Sequence, residues 1–197
     1  MQNILAITNR TLAPNSYWEQ LEKIAASDVS TLILREKTLN EEDYMTYARQ
    51  ALQICNAHGK TCILHHFGKT AIQLHVPRFQ CSLSYLRIHS SIRYFMTTLG
   101  VSVHTAGEAK EAEELGATYI MASHIFETNC KPDSPPIGIS ELKNICNAVS
   151  IPVYALGGIT EKNIAALNAL PISGIALMSS LMTCSDIPAY LRQLDNN

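Results

Sequence analysis

The stretch Met121-Ala-Ser-His-Ile-Phe-Glu-Thr-Asn-Cys-Lys131 gathers a titratable imidazole (His124), a hydroxyl (Thr128), a thiol (Cys130) and a fixed cation (Lys131) within eight residues. An imidazole gives and takes a proton near neutral pH, and a lysine ammonium can hold a phosphate. The surrounding chain narrows the chemistry further. No acidic residue occurs between Asp43 and Glu108. A mechanism that takes carboxylate metal ligands from the middle of the chain is therefore hard to build.

These groups need elements to position them, and the apolar pattern supplies candidates. Short apolar runs at Leu5 to Thr8, Thr31 to Leu34, Thr61 to Leu64, Gly100 to Val103, Tyr119 to Met121, Pro152 to Ala155 and Gly174 to Leu177 read as strands. Helical spacing marks Tyr17 to Ala26, Ala106 to Leu115, Ser140 to Ala148, Glu161 to Leu170 and Ile187 to Leu194. Asn40 with Glu41, Glu42 and Asp43 starts another helix, which Gly59 stops. In the middle, Lys69 to Val76 reads as a helix, Phe79 to Leu86 as a weak fourth strand and Ser90 to Thr98 as a short helix. Continuous rather than alternating apolar strands imply a parallel sheet buried on both faces. Eight strand–helix units without a linker or repeat imply one α/β domain over residues 1–197, a closed (β/α)8 TIM barrel. The rival is an open doubly wound sheet, but no Gly-x-Gly-x-x-Gly follows the first strand.

In such a barrel the site lies at the carboxyl ends of the strands, and the loops after strands seven and eight commonly take a phosphate. Those loops here carry Gly157-Gly158 and Ser179-Ser180. Glycine lets backbone N–H groups approach an anion, and serine adds a hydroxyl donor. Arg35-Glu36-Lys37 follows strand two; it is either a surface charge cluster or a pair of cations facing an anionic substrate. His104 follows strand five and could simply cap the next helix. His65-His66 follows strand three and would suggest a metal only if acids stood nearby. Cys130 could serve as a nucleophile or acid, yet no partner for it is evident.

Bulk properties exclude other classes. A net charge of −2 gives no basic footprint for nucleic acid. The six cysteines are scattered without a Cys-x-x-Cys, and no signal peptide or membrane-length apolar run is present. The expectation is a cytoplasmic protein with reduced thiols. Tyr94-Phe95-Met96 is a possible homodimer contact or part of the core.

Several segments together carry a family resemblance: Leu32-Ile-Leu-Arg-Glu-Lys37, Gly100-Val-Ser-Val-His104, His124-Ile-Phe-Glu-Thr-Asn-Cys-Lys131, Ile151-Pro-Val-Tyr-Ala-Leu-Gly-Gly-Ile159 and Gly174-Ile-Ala-Leu-Met-Ser179. In this order and spacing the chain resembles the thiamin phosphate synthase superfamily, and within it the thiazole tautomerase (TenI) branch. The synthase branch joins a pyrimidine diphosphate to a thiazole phosphate with magnesium, and typically carries Asn-Asp-Arg after strand three. His65-His66-Phe67 stands there instead, and Ile33 replaces a family glutamine. His124 matches the proposed proton shuttle of the tautomerase branch. The resemblance thus implies a carboxythiazole ethyl phosphate as substrate, aromatised without metal or cofactor. It also implies substrate or phosphate contacts from Arg35, Lys37, Ser102, Thr128, Cys130, Lys131, Gly157, Gly158, Met178 and Ser179. Two alternatives stand beside it: a magnesium-dependent synthase, and a regulatory barrel that binds a thiazole or thiamin phosphate without turning it over.

Overall fold

In the computed structural model, which describes residues 3–13, 15–130 and 134–195, eight parallel strands close on themselves in sequence order. They are β1 (Asn3–Ile7), β2 (Thr31–Leu34), β3 (Thr61–His65), β4 (Arg78–Ser82), β5 (Thr98–Val103), β6 (Tyr119–Ser123), β7 (Val153–Leu156) and β8 (Gly174–Leu177). Closure is made by β8 against β1, with Ile4 opposite Ile175 and Leu5 opposite Ala176. The (β/α)8 barrel expected from the apolar runs is the observed fold.

Side chains alternate along each strand, and both faces are buried. Leu5, Ile7, Ile33, Ile63, Tyr119, Met121 and Ala176 fill the barrel interior. Their neighbours Ile4, Ala6, Leu32, Leu34, Leu64, Val101 and Ile120 pack outward against the helices. This two-sided burial is why the strands read as unbroken apolar runs.

The outer layer comprises α1 (Tyr17–Ala25), α2 (Glu41–Ala57), α3 (Gly68–Gln73), α4 (Leu83–Ile88), α5 (Ala106–Glu114), α6 (Gly138–Ala148), a four-residue α7 (Ser179–Met182) and α8 (Ile187–Asp195). The Asn40 side chain accepts from the Asp43 amide and caps α2, and Gly59 in the left-handed region follows its end, as the capping pattern predicts.

Three segments differ from the sequence expectation. Phe79 to Leu86 is a strand only to Ser82; there the serine hydroxyl accepts from the Tyr85 amide and starts α4. Ser90 to Thr98 is a 3-10 helix over Ser90–Phe95, and Thr98 already belongs to β5. Glu161 to Leu170 is not an α-helix but a 3-10 turn over Ile164–Leu167. Asn163 explains the last case: its side chain accepts from the Thr160 amide and donates to the Gly158 carbonyl. These local bonds compete with helix formation. In Tyr94-Phe95-Met96, Met96 is core while Tyr94 and Phe95 are exposed. Among the described residues no helix is long and apolar enough to cross a membrane.

Candidate functional site

The carboxyl ends of the strands surround one cavity of about 840 Å3. Arg35, Lys37, Ser102, His124, Thr128, Cys130, Gly157, Gly158, Met178 and Ser179 all line it. Every candidate site residue is therefore brought to one place, except Lys131, which lies outside the described residues.

His124 directly follows β6 and is only 4% exposed. Its amide carbonyl accepts from Ile137, and the loop beyond it continues the ladder: Ile125 N–H donates to Leu156 and Phe126 N–H to Gly157. The ring Nε2 stands 3.1 Å from the Ser134 carbonyl oxygen. A carbonyl only accepts, so in the neutral ring Nε2 carries the proton and Nδ1 the lone pair. Nδ1 is buried and has no hydrogen-bond partner among the described residues. The arrangement is that of a base whose tautomer is held by the main chain.

The Gly157-Gly158 pair has a role that spacing alone does not reveal. Both have positive φ, +106° and +68°. A Cβ at Gly157 would strike the Cα and Cβ of His124, and one at Gly158 would strike the carbonyls of Phe126 and Glu127. The glycines thus seat the His124 loop against β7. Asn163 fixes the same turn from below through the Gly158 carbonyl. Across from it, α7 begins at Ser179, and the first amides of a helix have no acceptor inside it. The Gly157-Gly158 turn and the start of α7, with Ser179 and Ser180, therefore border the same side of the cavity.

The β2–β3 side is cationic and is held by α2. The Tyr44 hydroxyl donates to the Leu34 carbonyl and accepts from the His65 amide, both at 2.8 Å. One phenol thereby ties the ends of β2 and β3, which carry Arg35 and His65; burial pushes its pKa up, so it stays protonated. Arg35 is half-buried, and desolvation lowers its pKa from the usual guanidinium range. It stays charged nonetheless. Glu36, between the two cations, faces away from the cavity chemistry. It accepts from the Thr8 hydroxyl (2.6 Å), the Tyr17 hydroxyl (2.9 Å) and the Arg10 amide. The Arg-Glu-Lys cluster thus divides into two lining cations and one buried structural carboxylate.

His104 lines the cavity as well, and its amide donates to Glu108 Oε2 at 2.7 Å. The cap of α5 is Thr105, which accepts from the Glu108 amide. Sequence reasoning weighed His65 only as a metal ligand and missed Gln80, Ser123 and Asn163. Gln80 and Ser123 occupy interior-facing strand positions, and the polar break in an apolar run was the available signal. Among the described residues Glu108 and Glu127 are the carboxylates lining the cavity, and no group of three or more His, Cys, Asp or Glu converges.

A family model described as thiamine monophosphate synthase matches residues 4–181. The chain is similar to thiamine-phosphate synthase 2 of Streptococcus pneumoniae, 34% identical, covering 96% of this chain and 94% of the relative. It is 27% identical to thiamine-phosphate synthase of Clostridium acetobutylicum, over 93% of this chain and 88% of the relative. Among solved structures, thiamine phosphate pyrophosphorylase from Pyrococcus furiosus superposes with a TM-score of 0.82 at 23% identity, covering 99% of this chain and 94% of that one, which supports the barrel fold. With its barrel and the match across nearly all eight strands, the chain belongs to the thiamine monophosphate synthase family.

Proposed function

We propose that this chain is an enzyme of thiamin biosynthesis that takes a phosphorylated thiazole into the barrel-top cavity. The phosphate lies at Gly157, Gly158 and Ser179. The ring faces His124, and Ser102, Thr128, Cys130 and Met178 contact the rest of the molecule. The reaction assigned is tautomerisation of a carboxythiazole ethyl phosphate. His124 takes a proton from the ring carbon bearing the carboxylate and returns one to the exocyclic carbon. The observation that carries this reading is the His124 ring itself: walled in, its Nε2 proton directed at Ser134, its Nδ1 lone pair uncommitted. General acid–base help of this kind is worth about 10² to 10⁴-fold. Holding the ring by its phosphate adds a positioning contribution.

A second reading is synthase chemistry, and the relatives favour it more directly, because those cited carry the name thiamine-phosphate synthase. That reaction uses magnesium, so the cavity must offer hard oxygen ligands. Among the described residues the lining carboxylates, Glu108 and Glu127, fit this poorly. Glu108 is occupied by the His104 amide, and no third ligand converges on either among the described residues.

The two readings separate in one experiment. Purified protein is supplied either with the non-aromatic thiazole tautomer or with pyrimidine diphosphate plus thiazole phosphate, each with and without magnesium. Metal-independent aromatisation, lost in His124→Asn while thiazole phosphate binding persists, supports the tautomerase. Thiamin phosphate formed only with magnesium would replace that reading with the synthase. Tight binding with neither turnover would make the barrel a sensor.

A further inference from the structure

Towards the carboxyl ends of β3 to β6 the cavity wall carries four polar side chains, His65, Gln80, Ser102 and Ser123, beside the apolar Met121. Within this polar wall His65 and Gln80 are register partners on neighbouring strands. His65 is 6% exposed and lines the cavity, yet its Nδ1 has no hydrogen-bond partner among the described residues. Gln80 is 2% exposed, and its Nε2 donates to the Ser102 hydroxyl oxygen at 3.0 Å. Because that oxygen is already an acceptor, the Ser102 proton is left free for a group in the cavity.

Gly100 makes this wall possible. A Cβ there would collide with both the Tyr119 ring and Gln80 Oε1. Gln80 Oε1 and the Tyr119 hydroxyl are both buried without partners among the described residues. Gln80 and Tyr119 thus fill the space over Gly100, and on the cavity side the wall presents the His65 ring and the Ser102 hydroxyl. Arg35 and Lys37 follow the adjacent β2 and line the same cavity.

We propose that His65 is a binding residue for the substrate's carboxylate and that Gln80 is the positioning residue that aims the Ser102 hydroxyl at the same group. The inference rests on the reading of the substrate as a carboxylated thiazole phosphate. It divides the cavity into two anion-receiving ends. The phosphate end, on β7 and β8, uses amides and hydroxyls. The carboxylate end, on β3 to β5, uses an imidazole and a hydroxyl beside a guanidinium. The thiazole ring spans the two and passes His124, just beyond β6.

Calorimetry with two ligands tests this: carboxythiazole ethyl phosphate, and the same molecule without its carboxylate. The unsubstituted protein should prefer the carboxylated ligand by about tenfold or more, as hydrogen bonds to a charged acceptor allow. His65→Leu and Gln80→Glu should each reduce that preference to below about threefold with little change for the decarboxylated ligand, whereas His65→Asn, which keeps a donor, should retain most of it. A merely structural role would weaken both ligands together and leave their ratio intact. Preference that survives in His65→Leu, or that is absent from the unsubstituted protein, overturns the inference alone. Should His65→Leu not fold, the Gln80→Glu ratio decides. Failure of the unsubstituted protein to bind either ligand refutes the functional reading and this inference with it.

Discussion

Gly157→Ala is the perturbation that most directly probes how the fold holds its imidazole. The backbone of Gly157 sits at φ +106°, where a side chain is strained. The added Cβ would lie 2.9 Å from the His124 Cα and closer still to its Cβ. Carbon atoms rest comfortably at about 3.5–4.0 Å, so the His124 backbone must retreat by about 1 Å. The Ile125 and Phe126 amides, bonded to Leu156 and Gly157, resist that retreat. Backbone strain of this class costs about 1–3 kcal/mol. At roughly 2–4 °C per kcal/mol for a chain of this size, the melting midpoint should fall by about 2–12 °C. The catalytic consequence is larger, because a 1 Å misplacement of a reacting group can cost about 10²-fold. On the proposed tautomerase reading, stopped-flow observation of thiazole aromatisation should thus show kcat reduced about a hundredfold. Circular dichroism should show a folded barrel at the assay temperature. A folded Gly157→Ala protein with undiminished kcat would refute the claim that this glycine seats the catalytic ring.

Two further outcomes follow from other parts of the site. Tyr44→Phe leaves the Leu34 carbonyl and the His65 amide without their shared buried partner, so urea unfolding should show a loss of about 1–3 kcal/mol; a change under about 0.5 kcal/mol would mean that water replaces the hydroxyl. His65 bears on acid stability, since burial, then Lys37, Arg35 and His66, hold its pKa well below the ordinary histidine value. Below about pH 6.5 the unfolded chain binds a proton that the folded ring refuses, so stability falls with pH, by at most about 1.4 kcal/mol per pH unit from this group. The loss runs down to the depressed folded pKa and should be shallower in His65→Asn; equal acid-side slopes for the two proteins would sink the assignment.

Much of this architecture is written locally. Unbroken apolar runs of four or five residues with helical stretches between them admit few folds besides a parallel barrel, because only two-sided burial accounts for such strands. Asn40 and Gly59 bound α2 by backbone chemistry that neighbours in the chain decide. The clustering of Gly157-Gly158, Ser179 and His124 could be anticipated for a related reason. Once the strands are parallel, their carboxyl ends share one face of the barrel.

Other features were settled only by the packed structure. Glu161 to Leu170 has helical spacing, but Asn163 spends its side chain on the Gly158 turn, a preference set by what lies beside it. Glu36 reads like its cationic neighbours until Thr8, Tyr17 and Arg10 are brought around it from a different strand and its following helix. His65 has no acids near it in the chain and looked idle; strand register puts it beside Gln80, and barrel closure turns both into the cavity. The pattern has one physical cause. Propensity, capping and hydrophobic period are properties of adjacent residues and are present in the linear order. Which lone pair is left uncommitted, which carboxylate is satisfied by buried hydrogen bonds and which glycine makes room for an imidazole depend on contacts between residues far apart in the chain, which exist only after the barrel has closed.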